Sequence, residues 1–284
     1  MWQRIRHRLS DPVTYRKHGL NLLRRLRPPR PPRPVSLDRL IDSLDGRPIL
    51  GVFAHPDDEL FASGLLAELS SRRVPVHLAC LTRGEGGPLG EFSRSELGQV
   101  RERELRVSAS ALGAESVRFL GHIDPVGNPF RVYAPKVSVS HLTRQIRDVM
   151  EEHRPALMIT HGSGGEYWHP AHLLTHRAVR EAANSEVTVL TIHAWRPDHL
   201  LPQMLNRDDP ADLIVDGRPH QDRRLAALKA HQSQSEYFSS LGSGSLETFL
   251  DRTAWESYRV YPAAKVSPPD RQPPLSSRQT ATRD

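Results

Sequence analysis

From residue 36 onward the apolar positions fall into two alternating periods. Continuous apolar runs of strand length occupy 48–54 (PILGVFA), 75–81, 117–120, 155–160 (PALMIT) and 187–194. Between them, apolar residues recur at helical spacing. In 58–71, Leu60, Leu65, Leu66 and Leu69 lie on or near one face. Helices are also predicted over 96–112, stopped by Gly113, over 139–153 and over 171–183. A short helix over 36–44 ends at Asp45-Gly46. Strands alternating with helices predict an α/β sandwich with a mostly parallel sheet.

The 284 residues suffice for a large buried core without staples. No run approaches eighteen consecutive apolar residues, so no transmembrane helix is predicted. The single cysteine, Cys80, excludes an intramolecular disulfide and a cysteine zinc knuckle. Its apolar neighbours predict a buried small hydrophobe.

The net charge of +6 is unevenly placed. Residues 1–34 contain ten Lys and Arg and one acid, Asp11, which makes that segment +9 and the remainder −3. A mildly acidic body does not grip nucleic acid, and no nucleic-acid partner is expected. The arm lacks the uninterrupted apolar core of a secretory signal. Trp2, Ile5 and Leu9, and then Leu20, Leu22, Leu23 and Leu26, are spaced for a weak amphipathic helix. Such an arm predicts weak contact with an anionic membrane, the alternative being a solvated tail. RPPRPPRP over 27–34 is an extended spacer. The predicted organisation is an arm over 1–34, one domain over 35–266 and a disordered tail over 267–284. The predicted location is cytoplasmic, with peripheral membrane contact through the arm as the variant.

In an open α/β sheet, ligands bind beyond the carboxyl ends of the strands. Polar residues gather there in this chain. His55-Pro56-Asp57-Asp58-Glu59 follows the first strand, and Thr82-Arg83-Gly84-Glu85 the second. Gly121, His122 and Asp124 follow the third; His161 and His169-Pro170-Ala171-His172 follow the fourth. His55 with Asp58, and His169 with His172, are three apart at helix starts, so each pair can address one point. Two imidazoles and a carboxylate suit a catalytic Zn²⁺ site. A second aspartate is then left to accept a proton from water. The alternative for Asp57, Asp58 and Glu59 is capping of a helix N-terminus.

The strand followed by Ala54-His55-Pro56-Asp57-Asp58-Glu59 resembles the opening motif of the LmbE-like, or PIG-L, de-N-acetylase family. Further segments resemble the family in order. They are Thr82-Arg83-Gly84-Glu85, Arg101 with Glu104-Leu105 and Leu112-Gly113, and Phe119-Leu120-Gly121 with Asp124. His169-Pro170-x-His172 and Ala227-Leu228 with His231-Gln232-Ser233-Gln234 complete the set. The resemblance spans about residues 47–235 and implies a Rossmann-like three-layer sandwich that uses no dinucleotide. It implies His55, Asp58 and His172 as metal ligands and Asp57 as general base. His169 would face the developing oxyanion and help protonate the leaving amine. Arg101 and Asp124 match positions that hold sugar hydroxyls, with Glu85 a weaker candidate. Zn²⁺ is the implied metal, and Fe²⁺ fits the same ligands.

One departure stands out: the family motif has Asp between the two late histidines, and this chain has Ala171. His176, one turn beyond His172, competes in principle as a ligand. His161, His193 and His231 read as structural. The expected activity is removal of acetyl from an N-acetylated amino sugar or its conjugate, a small-molecule substrate. The alternatives are the same centre acting on another acylated amine, and a non-catalytic binding protein that uses the basic arm. Neither the acyl acceptor nor the oligomeric state is encoded in these motifs.

Overall fold

A computed structural model describes residues 31–127, 132–183 and 186–263. The strands are β1 (Ile49–Phe53), β2 (Val76–Thr82), β3 (Ser116–His122), β4 (Leu157–Thr160), β5 (Thr188–Thr191), β6 (Ala194–Trp195), β7 (Asn206–Pro210), β8 (Leu213–Asp216) and β9 (Trp255–Tyr261). Besides a one-turn segment, Gly165–Trp168, the α-helices among the described residues are α1 (Leu37–Asp42), α2 (Ser63–Ser71), α3 (Arg94–Leu112), α4 (Val139–His153), α5 (Pro170–Ala183), α6 (Gln221–Ala230), α7 (Ser235–Leu241) and α8 (Leu246–Arg252). Seven strands form the central sheet in the order β3-β2-β1-β4-β5-β9-β8, and β6 pairs with β7 beside it. β1 to β5 run parallel, while β9 is antiparallel to both β5 and β8. The expected α/β sandwich with a mostly parallel sheet is therefore the observed fold.

Both faces of the sheet are covered, which is why the parallel strands read as unbroken apolar runs. Side chains alternate between the faces with period two. Ile49, Phe53, Leu78, Leu157, Ile159 and Leu190 meet Leu65, Leu66 and Leu69 of α2, Leu112 of α3 and Leu228 of α6. Leu50, Val52, Ala79, Leu81, Met158 and Val189 meet Leu142, Ile146 and Val149 of α4 and Ala178 and Val179 of α5. Cys80 is buried, as its neighbours predict.

Three local outcomes differ from the periodicity. The helix expected over 58–71 begins as a 3₁₀ turn, Asp58–Ala62, and becomes α2 only at Ser63. The free N–H groups of Gly64 and Leu65 donate to Glu256 on β9, at 2.6 and 2.9 Å. The strand expected to reach 194 stops at Thr191, and His193 takes a φ of 52°. The polar end of the spacer is already docked, since the Arg33 N–H donates to Asp212 Oδ1 at 2.6 Å and the Val35 N–H to Asp212 O at 2.8 Å. Residues 1–30 and 264–284 lie outside the described residues, and with them the expected membrane-facing arm and the expected disordered tail. Among the described residues, no helix is long and apolar enough to cross a membrane.

β1 is flanked by β2 on one side and β4 on the other: the chain runs outward from β1 through β2 to β3, then crosses back to β4 and continues the opposite way. The crevice at the carboxyl ends of β1 and β4 is the topological switch point, the favoured ligand site of such sheets.

Candidate active site

At that crevice the chain leaves β1 through a tight turn. The His55 N–H donates to Asp58 Oδ2 at 2.8 Å, which folds the Asp58 carboxylate back under the strand end. Asp58 Oδ2 lies 3.4 Å from His55 Nδ1, and Asp58 Oδ1 lies 3.4 Å from His172 Nε2. Ring centroids are 5.3 Å apart for His55 and His172, 4.8 Å for His55 and His169, and 4.5 Å for His169 and His172. The expected ligands His55, Asp58 and His172, and the expected proton donor His169, are therefore in one place.

The donor set fits a divalent cation. His55 Nε2, His172 Nε2 and His169 Nδ1 are buried without a hydrogen-bond partner among the described residues. Buried polar atoms are rarely left so. Candidate ligand atoms of His55, His169 and His172 lie within 4.8 Å of one another, as do those of Asp58, His161 and His172, so the expected set His55, Asp58 and His172 is divided between two overlapping groups. Burial alone would lower the His55 pKa, but Asp124 and Asp58 outweigh it and push it up to about 10. A proton and a metal ion compete for the same lone pair, so a site that attracts the one so strongly also attracts the other. Burial would raise Asp58, yet His172 and His161 hold it well below the usual carboxylate range. Burial, with His161 beside it, keeps His172 neutral by lowering its pKa, which is the form a ligand needs.

His161, read from the sequence as structural, stands against the centre, with its Nε2 3.4 Å from Asp58 Oδ2. The Ala54 N–H donates to its Nε2 at 3.0 Å, so that nitrogen is an acceptor and its lone pair is engaged. Its Nδ1 donates to Glu166 Oε2 at 3.1 Å. His176 donates from Nδ1 to His161 O at 2.9 Å, and among the described residues neither group of candidate ligand atoms includes it.

Asp57 adjoins the ligands at a φ of 104°. Burial pushes its pKa up to about 6, against the pull of Arg101. Arg101, expected to hold a substrate hydroxyl, lies behind this carboxylate. Its Nη2 donates to Asp57 Oδ2 at 2.8 Å and Pro56 O at 2.6 Å, and its Nη1 to Gly84 O at 2.9 Å. Those contacts tie it to Asp57 and to the backbone on either side of the crevice. Gly84 has a φ of 71°, and a Cβ there would meet Arg101 Nη1 at 2.4 Å. Only glycine accommodates both demands. Asp124 and Glu85 do stand together at the rim. The Gly86 N–H donates to Asp124 Oδ2 and the Asp124 N–H to Glu85 Oε2, each at 3.1 Å. Asp124 Oδ1 reaches to 3.4 Å from His55 Nε2.

A cavity of about 290 Å³ opens over the centre, lined by Asp57, Asp58, His172, Phe61, Tyr167 and Tyr237 among others. Burial, together with Asp57 and Asp58, raises the phenol of Tyr237 to about 12 and lifts that of Tyr167 well above its ordinary value. Both stay protonated donors at neutral pH. These two tyrosines and Glu166 belong to none of the sequence motifs. Tyr167 is two residues before His169 and Tyr237 three after Gln234, and that adjacency was the available signal.

An open α/β sheet that gathers imidazoles and carboxylates at its switch point has the arrangement of an enzyme active site. Residues 50–183 match the family model described as PIG-L, GlcNAc-PI de-N-acetylase. The "1D-myo-inositol 2-acetamido-2-deoxy-alpha-D-glucopyranoside deacetylase" of Mycolicibacterium gilvum is 31% identical over 227 residues, covering 66% of this chain and 80% of that one. The "Probable N-acetyl-alpha-D-glucosaminyl L-malate deacetylase 2" of Bacillus anthracis is 30% identical over 233 residues, covering 76% and 96%. The chain belongs to the PIG-L de-N-acetylase family. The solved structure of the 4-carboxy-2-hydroxymuconate hydratase GalB from Pseudomonas putida aligns with a TM-score of 0.58 at 20% identity, covering 78% of this chain and 99% of that one. That likeness concerns the fold alone; the reaction is carried by the site.

Proposed function

We propose that this enzyme hydrolyses the acetamide of an N-acetylglucosaminyl group carried by a small conjugate, with Zn²⁺ or Fe²⁺ held by His55, Asp58 and His172. The observation that carries the proposal is the gathering of His55 and His172, each with a buried, unpartnered Nε2, around Asp58, which lies 3.4 Å from His55 Nδ1 and from His172 Nε2, beside Asp57. The names of the two curated relatives supply the substrate class.

A bound divalent ion would supply Lewis acidity, polarising the acetyl carbonyl and making water more acidic. The remaining chemistry belongs to the chain. Asp57 takes a proton as the water oxygen bonds to the acetyl carbon. The C–N bond then breaks, the proton passes to the departing nitrogen, and acetate and a free amine leave. Burial, with His172 and His55 close by, lowers the His169 pKa to about 2. His169 therefore faces the carbonyl oxygen as a neutral N–H donor, and Asp57 serves both directions of proton transfer. Arg101 and Glu59, whose Oε2 accepts the Asp57 N–H at 2.9 Å, hold Asp57 in place. Asp124 and Glu85 accept from sugar hydroxyls at the rim, and Tyr167 and Tyr237 offer O–H donors from the other lining.

The test is amine release from a panel of N-acetylglucosaminides, with and without a chelator. Chelator-sensitive release of equimolar acetate and amine is expected. Metal-replete protein that cleaves none of the panel but cleaves other acylated amines would overturn the substrate class. Release unaffected by removal of metal would overturn the mechanism.

A further inference from the structure

Building on the reading of His172 as a metal ligand, we propose that Glu166 is a positioning residue of the metal centre. It supplies, from the turn after β4, a carboxylate that fixes His172 in its ligating form. The HPxH motif of this chain carries no acid of its own, because Ala171 stands between its histidines.

The geometry is specific. Glu166 Oε2 accepts from His172 Nδ1 at 2.5 Å. An imidazole that donates from Nδ1 keeps its lone pair on Nε2. In His172 that Nε2 is the buried, unpartnered atom 3.4 Å from Asp58 Oδ1. The same Glu166 oxygen accepts from His161 Nδ1 at 3.1 Å, and the two imidazole rings stack with centroids 3.9 Å apart. The other oxygen, Oε1, accepts the Gly162 N–H at 2.9 Å and Asn206 Nδ2 at 3.2 Å. The Glu166 N–H in turn donates to Asn206 Oδ1 at 3.1 Å. With both oxygens engaged and the backbone tied, the carboxylate cannot swing away from His172.

Two further observations separate this from an ordinary loop anchor. Glu166 sits at φ 58° and ψ −87°, outside the regions favoured for residues with side chains. Such strain persists where surrounding contacts enforce it, and it concentrates at working sites. Second, the acid is spatially selective. His169 Nδ1, next to Ala171, is buried with no partner among the described residues, whereas His172 Nδ1 has the Glu166 carboxylate. Ala171 itself is fully buried. The negative charge of this centre thus backs the ligand imidazole rather than the one facing the carbonyl oxygen. A carboxylate behind a ligating histidine sets its tautomer and raises its basicity.

The experiment compares full-length wild type, Glu166→Gln and Asn206→Ala. Gln preserves shape and the Oε1 acceptor but places an NH₂ donor against His172 Nδ1, driving the imidazole proton to Nε2. Expected for Glu166→Gln is a loss of Co²⁺ affinity of roughly 10- to 100-fold by titration of the visible Co²⁺ absorption. Nitrogen NMR of metal-free protein should show His172 changing from the Nδ1–H to the Nε2–H tautomer. Asn206→Ala loosens the same turn without touching Oε2, so it should lower the unfolding temperature yet retain Co²⁺ affinity within a few-fold. Three results would overturn the proposal: unchanged affinity and tautomer in Glu166→Gln, affinity losses that merely track thermal destabilisation in both variants, or wild-type His172 as the Nε2–H tautomer without metal. The last needs no variant to fold. Failure of wild type to bind Co²⁺ or Zn²⁺ at all would instead remove the metal reading beneath it.

Discussion

Glu59 Oε2 accepts the backbone N–H of Asp57 at 2.9 Å, so a fully buried carboxylate holds Asp57 at a φ of 104°. Such a conformation costs about 1–3 kcal/mol for a residue with a side chain. The other oxygen of Glu59 accepts from Ser108 Oγ on α3 and His231 Nε2 after α6, each at 2.6 Å. Three segments distant in sequence thus converge on one turn. Orientation of the base is built into the core rather than left to the loop.

Asp57→Asn tests that base directly. Asn adopts left-handed backbone more readily than most residues, so the turn should survive. Metal content should match wild type, and turnover should fall by roughly 10²–10⁴. Full turnover in this variant would move the base role to another carboxylate.

The ligand assignment turns on two histidines one helical turn apart. His172→Ala should reduce bound metal from about one ion per chain, the ligand-count expectation, to near zero. His176→Ala should leave metal content unchanged, since His176 belongs to neither group of candidate ligand atoms. Elemental analysis of both variants decides, and the reverse pattern would sink the assignment.

Arg101 depends on the absence of a side chain at Gly84. Gly84→Ala places a methyl 2.4 Å from Arg101 Nη1 on a left-handed backbone. The backbone alone costs about 1–2 kcal/mol. Displacement of Arg101 should also lower kcat more than it raises KM, because the disturbed contact is to Asp57 and not to the cavity. Denaturant unfolding and steady-state kinetics give the two readouts. A variant with reduced stability but wild-type kcat would show that Arg101 does not orient the base.

Much of this site was legible because its residues sit at strand ends, where period and motif coincide. His55, Asp58, His169 and His172 follow apolar runs that could only be buried strands. What was illegible is non-local. Arg101 and Glu104 share one face of α3, but the sequence does not show that Arg101 meets Asp57 or that Glu104 accepts from the Ser233 N–H at 2.7 Å. The start of α2 escaped the periodicity because its N–H groups are satisfied by Glu256. Glu166 lies in a glycine-rich turn with no period at all, and its role appears only once Asn206, His161 and His172 surround it.

The buried pair of His231 and Glu59 makes stability depend on pH. Burial alone would lower the His231 pKa, but the Glu59 carboxylate outweighs it and raises the value above 6.5. Between 6.5 and that raised value the folded protein holds a proton that the unfolded chain has lost. The unfolding free energy therefore falls as pH rises through this window. The contribution is fully present below the unfolded pKa and is lost above the folded one. His231→Gln keeps a donor for Glu59 but removes the titrating group. Unfolding curves at a series of pH values from 6 upward should show wild type losing stability relative to His231→Gln as the pH increases. A constant difference across that range would mean that His231 stays neutral in the folded protein, leaving Glu59 to act on Asp57 through a neutral hydrogen bond.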